Sequence, residues 1–240
     1  DAVEWVDLFQ AAGAQFGGPV AWHGSGLLHW DSEITEWNSA KKGPRVDIYG
    51  NLAKELRKRN MPLISSFHTG DFWSRMWGPV SKQDSTYLDP YDDNSAYATM
   101  NNGRIGNTVF DAWYARISEA INRYQPDMIW FDTGFGGTIK GDLRGFAEKG
   151  RLLPGGENEL ESAPEKYQQK LIAYYFNKGN EWGKEVEVIY KTYDIPTGIG
   201  MRDIENGNLV GLQYDPWMAD INMQNHIEWW SNWFYNPVRS

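Results

Sequence analysis

The chain has 240 residues, 41% of them hydrophobic, which is enough to bury a sizeable core in one large domain of the α/β barrel size class. Its net charge of −9 and pI of about 5.0, with no block of basic residues, argue against a partner that must be tracked by its phosphates, so nucleic acid is excluded on charge. The absence of cysteine removes disulfides, thiolate metal sites and cysteine nucleophiles, and no apolar run approaches the ~20 residues of a membrane helix. Thirteen Trp, thirteen Tyr and ten Phe suit either a large aromatic core or faces for sugar rings.

In chain order, Trp5, Leu8, Phe9 and Ala12 share a helical face, and Gly13 stops the helix. Phe16 to Trp22 reads as a short buried strand with His23 at its end. The following segment, to about Val46, has no sustained period and suits a long loop on a functional face. Asp47 then caps a helix with Ile48, Leu52 and Leu56 inward, and Asn60 breaks it. Pro62 to Phe67 is the second strand, with His68 at its end, and Thr69 to Gly106 is a second long, aromatic, aperiodic stretch.

Asn107 to Tyr124 carries Val109, Trp113, Ile117, Ala120 and Ile121 at helical spacing. After a Gln-Pro turn, the apolar run Met128-Ile129-Trp130-Phe131 ends abruptly in Asp132, and glycines follow. This is the pattern of a buried strand delivering a carboxylate to a rim. Thr138 to Ser162 reads as a polar excursion. Pro164 opens a helix with Tyr167, Leu171, Tyr174 and Tyr175 aligned, and Val186 to Tyr190 is a fourth strand ending at Lys191. Two or three further short strands follow, punctuated by Pro-Thr-Gly, Asn-Gly and Asp-Pro.

The recurring unit is helix, strand, polar residue at the strand's carboxyl end, loop. It predicts parallel strands joined through helices, and in a β/α barrel the carboxyl ends of the strands form the catalytic face. His23, His68, Asp132 and Lys191 are then expected in one bowl. Each taken alone also fits a structural part; Asp132, for instance, could cap the following turn. Metal-ligand spacings such as HxH and HExxH are absent, as are the glycine-rich nucleotide loops and the GxSxG elbow. His29 and His226 read as exposed or loop-packing. The chemistry left is that of carboxylates, with glycoside hydrolysis asking for a second acid. Asp194, Asp203, Glu205, Asp215 and Asp220 are the candidates, and no metal or cofactor is called for.

Collinear stretches then carry a resemblance: DAVEWVDLFQAAGAQFGGPVAWH, HWDSEITEWNSAKKGPRVDIYGNLAKELRKR, SSFH, RYQPDMIWFDTG, YKTYDIPTGIGMRDIENG and DPWMAD. Together they resemble the retaining α-L-fucosidases of glycoside hydrolase family 29, particularly the bacterial branch. The resemblance implies a (β/α)8-type barrel, of which this chain, read as one domain over 1–240, supplies five or six strands. It implies further that the first β/α unit and the last strands lie elsewhere, in a further chain segment or a second copy that completes the barrel. Asp132 inherits the role of nucleophile, and Trp130 that of a pocket aromatic. His23, His68, Trp37 and Lys191 are expected to bind substrate, and Glu205 is expected to be the acid/base, with Asp203 and Asp220 as alternatives. The resemblance further implies a fucosylated glycan as substrate and favours a periplasmic or secreted location. The chain reads His23-Gly24-Ser25-Gly26-Leu27 where the family reads His-His-Asp-Gly-Phe, so one sugar-binding His and one acid are replaced, which opens sulfated or branched fucosyl polymers as substrates.

Overall fold

The computed structural model describes residues 1–23, 26–68, 107–132, 165–191, 195, 198–205 and 209–220. The stretches 69–106 and 138–162 lie outside them, as do Asp194 and His226. Among the described residues, four helices and six strands follow in the order α1 (Ala2–Ala11), β1 (Val20–Trp22), α2 (Ile48–Lys58), β2 (Ile64–Phe67), α3 (Asn107–Tyr124), β3 (Met128–Phe131), α4 (Glu165–Trp182), β4 (Glu187–Tyr190), β5 (Met201–Glu205) and β6 (Trp217–Asp220), helix and strand alternating as far as β4.

The strands form one parallel sheet in the order β1-β2-β3-β4-β5-β6. Parallel crossovers are right-handed, so an order that never reverses puts successive helices on one side and curls the sheet toward a barrel. The architecture is that of an incomplete (β/α)8-type barrel. Register is continuous across the centre: Ser66 lies opposite Trp130, which lies opposite Ile189, and Phe67 opposite Phe131, which lies opposite Tyr190.

The helix-facing side of the sheet is a dry aromatic and aliphatic layer. Phe67 and Phe131 stack at 5.7 Å between ring centroids, and Trp113 of α3 lies 6.2 Å from Phe131. Ile117 and Ile121 of α3, Leu52 and Leu56 of α2, and Leu171 and Tyr175 of α4 complete the layer, each less than 5% exposed. At about 25 cal/mol per Å² these large side chains supply most of the drive to fold. The core therefore takes up the fully buried Trp22, Trp30 and Trp113.

Three helices follow the sequence expectation in extent and face. Asp47 caps α2 by accepting from the Gly50 amide at 2.8 Å, and Asn60 leaves the helix at φ 54°. α1 differs. It docks on α2 through Val6, with Ala2 and Phe9 beside it, whereas the expected face leaves Trp5 57% and Leu8 66% exposed. The first strand is also shorter than Phe16 to Trp22. Gly17 bridges Leu63, but Pro19 has no amide to donate, so regular pairing begins at Val20.

The aperiodic segment after β1 is not a loose loop. Leu28, Trp30, Ser32, Asn38 and Ser39 are fully buried within it. Glu119 of α3 pins it, accepting from Trp30 Nε1 at 2.8 Å, Ser32 Oγ at 2.6 Å and the Glu33 amide at 2.7 Å. His29 is structural, its Nδ1 lying 2.6 Å from the Val20 carbonyl oxygen.

Candidate functional site

Each of the six strands ends in, or is followed at once by, a polar residue at its carboxyl end: His23, His68, Asp132, Lys191, Glu205 and Asp220. Strand direction delivers them to one rim, because parallel strands in register bring their carboxyl ends to the same edge.

Asp132 is the centre of the described group. Its Oδ2 lies 2.8 Å from His68 Nδ1, and its Oδ1 lies 2.5 Å from Lys191 Nζ. The carboxylate is 16% exposed and the ammonium 9%, so both charges are largely out of water. Burial pushes the Asp132 carboxyl up. The hydrogen bond and electrostatic pull of His68, with the Lys191 ammonium, outweigh that and bring it down to about 2. Asp132 is thus an anion at any physiological pH. With Nδ1 directed at the anion, that nitrogen carries the proton. The His23 ring stands 4.2 Å from the His68 ring, tilted by 54°, so the two strand-end histidines line the rim beside the acid.

A second layer supports the group from below. Trp130, two residues before Asp132 on β3, donates its indole N–H to Asp203 Oδ2 on β5 at 3.1 Å. The two strands are separated by β4, so side chains that meet across it lie on the concave side of a curled sheet. The Lys191 ammonium sits 5.1 Å from the centroid of the Trp130 ring, within cation–π range. Its second anion is Asp220 at the end of β6, at 2.8 Å.

The structure brings together His23, His68, Asp132 and Lys191, the strand-end set, with Trp130, which the family resemblance placed in the pocket, beneath them. It adds Asp203 and Asp220, which the sequence offered only as alternative acids; Trp217-Met218-Ala219-Asp220 repeats the apolar-run-then-acid pattern of Trp130-Phe131-Asp132. Glu205 ends β5 opposite Asp220 in register, and its side chain lies outside what the structure describes. Trp37 sits half-buried in the pinned segment, its carbonyl accepting from the Leu28 amide at 3.1 Å. Gly24 and Ser25, the altered part of the His23 loop, lie outside the described residues.

A family model described as alpha-L-fucosidase matches residues 1–237. The chain belongs to the α-L-fucosidase family. Among α-L-fucosidases, the tissue enzyme of Rattus norvegicus is 32% identical over 130 residues, covering 54% of this chain and 24% of the relative. The Homo sapiens tissue enzyme gives the same identity and coverage. The chain thus spans about a quarter of the length of these curated relatives. A solved α-L-fucosidase at 26% identity superposes with a TM-score of 0.60, covering 91% of this chain and 40% of the other. Thermotoga maritima α-fucosidase, at 24% identity and a TM-score of 0.59 with the same coverage, shares the fold.

Proposed function

We propose that the chain carries the catalytic centre of a retaining exo-α-L-fucosidase that removes terminal α-L-fucosyl units from glycans, with Asp132 as nucleophile and Glu205 as acid/base. The observation that carries this is Asp132 itself: a carboxylate at a strand's carboxyl end, held as an anion between His68 and Lys191, in a chain of the α-L-fucosidase family. An anionic, well-oriented carboxylate is what attack on an anomeric carbon requires.

In the first step, a carboxylate oxygen of Asp132 bonds to the anomeric carbon while the bond to the aglycone oxygen breaks, and Glu205 gives its proton to that oxygen. In the second, water attacks the same carbon and passes a proton to Glu205, the ester bond breaks, and Asp132 leaves as a carboxylate. His23 and His68 are suited to hold sugar hydroxyls, and Trp130 and Trp37 to present aromatic faces to the ring. No metal or cofactor enters either step.

Replacing Asp132 with Gly is expected to abolish turnover of an aryl α-L-fucoside; unchanged turnover removes the assignment. A second reading rests on His23-Gly24-Ser25, where the family's second His and its acid are replaced. The smaller residues there favour an endo-acting hydrolase of sulfated fucose polysaccharide, or a fucose-binding relative without turnover. Free fucose as product supports the exo reading and oligosaccharides the endo reading. Fucose-dependent quenching of tryptophan fluorescence without hydrolysis supports the third.

A further inference from the structure

Lys191 is an unusual neighbour for a nucleophile. It is 9% exposed and contacts two carboxylates, Asp132 at 2.5 Å and Asp220 at 2.8 Å, while its ammonium lies against Trp130. Two legs of that length put the two acidic oxygens within about 5 Å of each other, close to the carboxyl separation of a retaining pair. Both carboxylates face the same ammonium, so the geometry places Asp220 as a counter-anion to Lys191.

The count of charges gives that counter-anion a task. With Asp132 free, the Lys191 ammonium faces two carboxylates among the described residues, and His68 holds the other oxygen of Asp132. Once Asp132 is esterified it is neutral, and the desolvated ammonium keeps Asp220 as a facing anion; losing that anion as well raises the cost of its burial in a poorly hydrated site. We propose that Lys191 and Asp220 are a positioning pair, in which Lys191 aims the Asp132 carboxylate and Asp220 keeps the ammonium partnered when the charge on Asp132 is spent in the covalent step. This rests on the reading of Asp132 as nucleophile. Among the described residues, the other titratable groups around the three are His68 on Asp132, His23 against His68, and Asp203 through Trp130.

The test is a double-mutant cycle in the full chain with an aryl α-L-fucoside. Lys191→Met is expected to lower kcat about 10²-fold, the loss typical when one preorganised charged donor is removed, with KM changed little. Lys191→Arg should recover most of it. Asp220→Asn is expected to lower kcat about 10-fold on its own and to add nothing once Lys191 is Met, because its effect passes through the ammonium. Losses that multiply in the double variant, or a Lys191→Met effect confined to KM, overturn the proposal.

A readout independent of turnover is the titration midpoint of the Asp132 carboxyl carbon by NMR. It should rise by more than one pH unit in Lys191→Met and stay at or below the wild-type value in Asp220→Asn. An unmoved midpoint in Lys191→Met overturns the proposal even if the chain is inactive. Asp132→Gly run in parallel separates the failures: retained turnover removes the nucleophile reading, whereas abolished turnover with multiplicative Lys191 and Asp220 losses removes only the positioning pair.

Discussion

Glu119 offers a sharp test of what holds the rim in place. It lies on α3, the helix that leads into β3, and accepts from three donors of the segment after β1: Trp30 Nε1, Ser32 Oγ and the Glu33 amide. Changing Glu119 to Ala strands those donors unequally. Trp30 and Ser32 are fully buried, so their groups lose a partner that water cannot replace, at about 1–3 kcal/mol for the indole and about 1 kcal/mol for the hydroxyl, which can rotate. The Glu33 amide is exposed and costs little. The expected loss is therefore about 2–4 kcal/mol by urea unfolding, and roughly half that for Glu119→Gln, which keeps one acceptor oxygen. Hydrogen exchange should localise the effect. The Leu28, Ser39 and Val46 amides, bonded within the segment to Trp37, Leu28 and Ser39, should exchange faster, while Met128 and Glu187, bonded in the sheet to Leu63 and Asp127, should not. A Glu119→Ala chain within 0.5 kcal/mol of wild type would refute the clamp.

Gly18→Ala should unfold the β1 edge, because a Cβ there would overlap the Ile64 carbonyl oxygen, a backbone atom that cannot move without breaking the β1–β2 register; a loss above about 4 kcal/mol, or failure to accumulate folded chain, is expected. Asp132 has its carboxyl lowered to about 2, so its pairing stabilises the fold fully above about pH 4 and is lost as pH falls toward 2. Between pH 4 and pH 2 the wild type should accordingly lose on the order of 2 kcal/mol more than Asp132→Asn, by urea midpoints at each pH.

The helices were legible because their signals are local. Asp47 capping α2, the 3.6-residue spacing of Trp113, Ile117 and Ile121, and that of Tyr167, Leu171 and Tyr175 all act within a few residues. α1 misled for the same reason. Its apolar residues spread around much of the helix, so the expected Trp5-Leu8-Phe9-Ala12 face and the observed Ala2-Val6-Phe9 face share only Phe9, and the position of α2 decides between them. The strand-end rule found His23, His68, Asp132 and Lys191 because strand direction is a topological fact that a sequence encodes. The partners Asp203 and Asp220 were legible only as acids. Their contacts, across 73 residues to Trp130 and 29 to Lys191, depend on how far the sheet curls, which no local pattern records.

A comparison within the molecule shows how burial, more than residue type, separates the proposed nucleophile's pair from a structural one. β3 is flanked by two carboxylates, Asp127 before it and Asp132 after it, and each pairs with a lysine beside β4. Asp127 takes Lys184 on Oδ1 and the Leu63 amide on Oδ2, both at 2.8 Å, and so ties the amino-terminal ends of β2, β3 and β4 together. That pair is 36% and 28% exposed, where water screens the attraction and the bond to main chain matters more than the charge. Asp132 and Lys191, at 16% and 9%, have lost most of that screening, so their attraction is stronger and the cost of leaving either one alone is higher. A fold gains little stability from a buried pair over an apolar one of similar shape. A buried pair at the carboxyl end of the strands, the end from which barrel chemistry is run, is accounted for if one of the two charges is consumed and restored in each turnover.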